Sequence, residues 1–168
     1  DEIDENDWQE IQQQINEALA NIKDFRIAEG ASLEKEFVMR IENIRSLMNS
    51  AVSLDSERIE TVKTRLRTAI EDLKATVDEN RYEQELIYYL EKYDITEERV
   101  RLDNHLNYFL ETMQVEGSNG RKLGFIVQEM GREINTMGSK ANHSEMQKMV
   151  VQMKDELEKI KEQILNVL

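Results

Sequence analysis

A chain of 168 residues without one proline cannot be punctuated as most globular chains are. Average usage would supply roughly 8 Pro and 12 Gly; this chain has 0 Pro and 6 Gly. Proline ends helices and glycine supplies left-handed turns, so their scarcity predicts long uninterrupted helices. Charged residues are 34% and apolar ones 39%, enough of both for solvated helices with a buried stripe. The absence of cysteine excludes disulfide scaffolds, zinc fingers, iron–sulfur clusters and thiol nucleophiles. It is compatible with a reducing compartment, and a cytoplasmic location is expected. No apolar run approaches the ~18 residues of a membrane span and no signal-peptide pattern is present, so no membrane partner is expected. The first residue is Asp1 rather than Met, and the chain is expected to be part of a longer protein.

The apolar period confirms the class. Trp8, Ile11, Ile15, Leu19, Ile22 and Phe25 follow a spacing near 3.6, and Leu33, Phe37, Ile41, Ile44, Leu47 and Met48 resume it after Gly30. One helix is expected from a cap at Asn6 or Asp7 to about Asn49, with Gly30 as a kink or close-packing point. Ser53 or Asp55 caps a second helix, with 78–80 a break or a polar turn. Asp94 and Glu97 form a capping box for a helix ending near Val115. Glu116–Gly120 is a loop, Arg121–Lys140 a further helix, and Asn142 or Ser144 caps the last. That last helix carries Met146, Val150, Met153, Leu157, Ile160, Ile164 and Val167, a coiled-coil spacing. The expected fold is all-α, in long antiparallel helices with coiled-coil-like packing. Residues 1–79 would form a helical hairpin or arm and 80–168 a helical domain.

Net charge is −13, unpromising for a nucleic-acid binder, but its distribution is uneven. Residues 1–50 carry 5 basic and 12 acidic side chains, whereas 117–142 carry 4 basic and 2 acidic. Only this second segment is net positive among the helical segments. On its helix, with Glu129 at 0° and 100° per residue, Arg132, Glu133, Thr136 and Lys140 fall between about −60° and +40°. Ile126, Val127, Met130, Ile134 and Met137 occupy about 60° to 160°, and Gly124, Gly131 and Gly138 fall near 200°. One face is thus dry, one lacks side chains and one concentrates charge. Each helical glycine costs roughly 1 kcal/mol against alanine, which points to close packing. Spacing alone favours exposed salt bridges at i,i+3 and i,i+4 for these charges. His105 and His143 are the only histidines; Arg101 lies one turn before His105. Neither histidine belongs to a Glu-x-x-His pair, which excludes a ferritin-like di-metal bundle, and no phosphate-binding glycine loop is present.

The polar residues together resemble a known family. Asn80-Arg81-x-Glu83-Gln84-Glu85, Asp94-Ile95-x-Glu97-Glu98 and Arg101-Leu102-x-x-His105 precede Gly120-Arg121-Lys122-Leu123-x-Phe125-x-x-Gln128-Glu129-x-x-Arg132-Glu133-x-Asn135-Thr136-x-x-Ser139-Lys140. This series is similar to the middle and C-terminal portion of the YicC-like (YicC/YloC) endoribonucleases, and Arg26-x-x-Glu29-Gly30 adds to it. The resemblance implies a family N-terminal domain outside this chain. Gly124 and Gly131 depart from it, standing where the family often has Asp and Asn.

What the resemblance implies is metal-assisted hydrolysis of RNA by a homo-oligomer, a hexamer in the family. On that basis His105, Glu129, Glu133 and Arg132 are the candidate catalytic residues. Glu129, Glu133 and His105 would hold Mn²⁺ or Mg²⁺, with Glu85 and Asp94 second in rank. Arg101, Arg121, Lys122 and Lys140 are the candidate RNA contacts, because guanidinium and ammonium groups suit phosphate oxygens. The rival reading is a non-catalytic α-helical module for oligomerisation or RNA binding.

Overall fold

A computed structural model describes residues 4–72 and 79–167. Its elements there are all helical: α1 Glu5–Ser53, α2 Asp55–Asp72, α3 Glu79–Lys92, α4 Thr96–Met113, α5 Gly120–Lys140 and α6 Ser144–Ile164. The chain divides into two compact units, Asp1–Phe37 and Val38–Leu168. A division at 79/80 would fall beside 73–78, outside the described residues.

In the first unit, α1 is helical throughout its described length. The apolar stripe is present and open to solvent: Trp8, Ile11, Ile15, Leu19, Ile22 and Phe25 are all exposed. The helix starts at Glu5, and the Trp8 amide donates to the Asp4 carbonyl. The start therefore precedes the caps expected at Asn6 or Asp7. Gly30 is not a close-packing point within the chain, because α1 runs through it and a methyl group placed on it would meet nothing within 4 Å.

The second unit is built around α4, α5 and α6. Gly117, at φ 109°, turns the chain between α4 and α5, a conformation glycine adopts without penalty. Leu102, Leu106 and Phe109 of α4, Met130, Ile134 and Met137 of α5, and Met153 and Ile160 of α6 are fully buried. Burying such a side chain stabilises by roughly 1.5–3 kcal/mol. Ile41, Ile44 and Met48 of α1 join this core. The coiled-coil spacing of the last helix describes its dry face, with Met146, Val150, Met153, Leu157, Ile160 and Ile164 all buried.

The glycines of α5 set how α6 lies against it. A methyl on Gly124 would come 3.9 Å from Ile164, on Gly131 3.3 Å from Leu157, and on Gly138 2.9 Å from Val150. Each step of seven along α5 is a step of seven back along α6, so the helices are antiparallel and in constant register. The packing progressively tightens toward Gly138. An alanine series should follow that gradient. Gly124→Ala is expected to stabilise by up to about 1 kcal/mol through helix propensity. Gly138→Ala is expected to destabilise by about 1–3 kcal/mol through overpacking. Thermal melts of the two variants check this; a raised melting temperature for Gly138→Ala would refute the close-packing account.

Residues 38–53 of α1 are tied to this bundle by polar contacts. Arg40 pairs with Glu156 at 3.2 Å, and Asn43 donates to the same carboxylate at 2.9 Å. Arg45 binds Asp103 and donates to Asn107. Burial pushes the Glu156 carboxyl up, but hydrogen bonds from Asn43, Lys159 and Arg40 outweigh it and hold the group at about 2.

Helix starts differ in detail from the expected caps. Ser53 donates back to the Ser50 carbonyl rather than capping α2. Asp94 accepts from the Thr96 amide at 3.0 Å and its hydroxyl at 2.7 Å, while Glu97 pairs with Arg101. That is a local aspartate turn, not a reciprocal box. The cap position of α6 is His143, with no side-chain hydrogen bond to the helix.

Candidate functional site

On α4, Glu98, Arg101, His105 and Tyr108 follow one another at intervals of 3, 4 and 3 residues, which lays them along one side of the helix. On α5, Lys122, Glu129, Glu133, Thr136 and Lys140 do the same at intervals of 7, 4, 3 and 4. Two contacts join the strips across the antiparallel pair. The Lys140 ammonium meets a Glu98 oxygen at 2.8 Å, and Lys122 Nζ lies over the Tyr108 ring at 4.7 Å. Arg101 and His105 on α4, and Glu129 and Glu133 on α5, occupy the seam between these two ties. Residues far apart in sequence are thereby collected along one polar seam.

Their environments differ. Glu133 is 8% exposed, and no hydrogen bond or ion pair among the described residues engages its carboxylate. Its oxygens still reach solvent; the seam carboxylate oxygen that is buried without a partner is Oε2 of Glu98. His105 is half-buried. Glu129 forms an exposed pair with Arg132 at 3.0 Å, and Arg101 is exposed beside Glu97. Lys140 is committed to Glu98, whose Oε2 is buried without a hydrogen-bond partner.

The remaining candidates lie off the seam. Arg121 sits at the start of α5 with its guanidinium 6.0 Å from the Phe125 ring. Asp94 is beyond the Lys140 end. Its carboxyl is held below the usual carboxylate range chiefly by the Thr96 hydroxyl, against the opposing effect of burial, with help from the Thr96 amide, Lys140 and Arg58. Glu85 is exposed on α3, and no hydrogen bond or ion pair among the described residues joins it to the seam.

Glu98 belongs to the family pattern but reads locally as one acid of a helix's first turn. Two participants carry no clear signal in the sequence, and one of them, Tyr108, reads as a surface aromatic. Arg58 reads as a solvated side chain. It is instead 4% exposed, donating to the carbonyls of Tyr93 at 2.7 Å and Lys140 at 3.3 Å while pairing with Asp55 at 2.7 Å. It thereby ties the end of α5 to the segment that precedes α4.

The fit of a divalent cation follows from the donors. Among the described residues, no three of His, Cys, Asp and Glu converge on one point, so a cage of the kind Ca²⁺ takes is not built there. Mg²⁺ is commonly held by one or two carboxylates with substrate phosphate and water completing its shell. Glu129 and Glu133, one helical turn apart, match that smaller requirement.

The molecule is thus an all-α bundle with one polar seam that combines carboxylates, a histidine and cations. The profile described as "Endoribonuclease YicC-like, C-terminal" matches residues 51–168. A Clostridioides difficile (strain 630) protein named "Probable endoribonuclease YicC" is 36% identical over 163 residues, covering 95% of this chain and 56% of its own length. A Haemophilus influenzae protein of the same name is 29% identical over 170 residues, covering 99% of this chain and 59% of its own. The chain belongs to the YicC-like endoribonuclease family and spans a little over half the length of these relatives. No helix among the described residues is long and apolar enough to cross a membrane.

Proposed function

We propose that this chain carries the RNA-cleaving part of an endoribonuclease. The observation that supports the reading is the seam: Glu133, a mostly covered residue whose carboxylate no described residue engages, shares it with His105 and the cations of α4 and α5. Family membership supplies the substrate class, RNA, and the bond, a phosphodiester. Arg101, Arg132 and Lys140 are cations along or beside the seam that suit phosphate oxygens. His105 would handle protons at the attacking and leaving oxygens, since histidine serves as a general acid and base near neutrality.

A divalent cation, Mn²⁺ or Mg²⁺, belongs to the same proposal. Glu129 and Glu133 would hold it, and when bound it would neutralise charge developing on the phosphate. Holding it requires Glu129 to leave Arg132, an exchange that exposed pairs make at little cost. A homo-oligomer and a cytoplasmic location complete the reading.

The test is incubation of end-labelled RNA with the longest natural polypeptide that contains this chain, with Mn²⁺ and with chelator. Internal cleavage that chelator abolishes is expected. Cleavage that persists undiminished in chelator would remove the cation from the proposal. RNA left intact under every condition would favour the helical module.

A further inference from the structure

Beyond the seam, α5 presents a second strip to solvent. Arg121, Phe125, Gln128, Arg132, Asn135 and Ser139 succeed one another at intervals of 4, 3, 4, 3 and 4 residues, and all are exposed. The strip contains no acid, in a chain with 35 acidic residues against 22 basic ones. Its length is about 27 Å at 1.5 Å per residue, room for several nucleotides.

The end near Gly120 has a particular chemistry. Phe125 is 56% exposed and Tyr108 45% exposed, a loss for two large rings unless something covers them. Each ring has a cation beside it, Arg121 at 6.0 Å from Phe125 and Lys122 at 4.7 Å from Tyr108. Neither Arg121 nor Lys122 meets a carboxylate among the described residues. Most other cations of this bundle do: Arg40, Arg45, Arg58, Lys140 and Lys159 all have acidic partners. The two cations also stand in the first turn of α5, which holds no acid, whereas the helix dipole favours acids there. Local stability does not account for cations at that position.

Exposed rings flanked by unpaired cations match what unpaired nucleic acid requires: a flat apolar face for the base and positive charge for the neighbouring phosphates. A base inside a duplex is already stacked and cannot use such a face. We infer that Phe125 with Arg121 beside it, together with Tyr108 and its Lys122 on the α4–α5 pair, is a base-stacking seat that holds single-stranded RNA leading into the seam. The inference rests on the RNA reading above and adds to it the strandedness of the ligand and the residue that reads it.

The test is fluorescence anisotropy of the full chain with a labelled oligoribonucleotide lacking self-complementarity, alone and annealed to its complement. It is run in EDTA and again in Ca²⁺. Tighter binding of the single strand is expected. Phe125→Ala and Phe125→Leu should each weaken single-strand binding about tenfold or more, with duplex binding and the salt slope unchanged, while Phe125→Trp retains affinity. Arg121→Ala and Lys122→Ala should weaken both ligands and reduce the salt slope. Because Phe125 is largely exposed, melting curves of its variants should match the parent. Three outcomes count against the seat: Phe125→Leu binding like the parent, Phe125→Ala weakening both ligands equally, or equal affinity for the two RNA forms. Normal RNA binding by the Phe125 variants overturns the seat alone and makes the patch a protein contact. Failure of the parent chain to bind RNA of either form overturns both the seat and the RNA reading.

Discussion

Glu133→Gln should lower RNA cleavage by about 10²–10³-fold, the range that losing one group of a charge-stabilising cluster costs, without loss of stability. Glu133 makes no hydrogen bond or ion pair among the described residues. Glutamine keeps the shape and gives up no structural contact, so the melting temperature should stay level. A carboxylate retained as a structural brace would behave in the opposite way, with its loss lowering the melting temperature and sparing the chemistry. The measurements are initial rates on labelled RNA and thermal melts of the same preparations. Glu129→Gln should also lower cleavage, with the oligomeric state unchanged, because its partner Arg132 is exposed and readily rehydrated. Undiminished cleavage by Glu133→Gln would sink the proposed role.

The second large effect is on stability in acid. Folding holds the Glu156 carboxyl at about 2, against 4.5 for an ordinary glutamate. Its three hydrogen-bond donors, Asn43, Lys159 and Arg40, are available only in the folded chain. Unfolding therefore takes up a proton between these two values. The stabilisation is complete above pH 4.5 and is lost as pH falls from there toward 2. Its size is on the order of 3 kcal/mol. Glu156→Gln should forfeit most of it at pH 7 and should flatten the acid dependence. Urea midpoints of both proteins at pH 7, 4 and 3 measure this. Parallel pH dependences would show that Glu156 is not the group responsible. Asp94, also held low by its Thr96 hydrogen bonds, adds a smaller slope of the same sign.

The helices were legible because their causes are local. Apolar residues at 3.6 spacing, no proline and few glycines specify helix whatever surrounds them. The dry face of α6 was readable residue by residue for that reason. So was the division of α5 into dry, small and charged faces, since a wheel needs only sequence. Details at helix ends were less legible. Asp94 can bond Thr96 or complete a box with Glu97, and the choice depends on where Arg101 takes Glu97. Gly30 and Gly138 look alike in sequence; one faces open space and the other lies against Val150.

The candidate site was legible as residue types and not as an arrangement. The family pattern singled out Glu129, Glu133, Arg132 and His105 together with Asp94 and Glu85, and nothing local ranks them. The α4–α5 pairing ranks them, laying His105 and Arg101 along the seam beside Glu129 and Glu133. Asp94 lies past its end and Glu85 on another helix. Phe125 was present in the motif, yet its significance depends on exposure, which no sequence pattern states.

By itself, then, the sequence determined an all-α fold, the helix faces and the family, because periodicity, turn chemistry and motif spacing act over a few residues. Tertiary structure decided which α5 glycines admit α6, that Arg58 is buried against the end of α5, and that Glu98 is enclosed with its Oε2 unpartnered. Those properties depend on desolvation and on contacts between residues tens of positions apart, which exist only once the helices are packed.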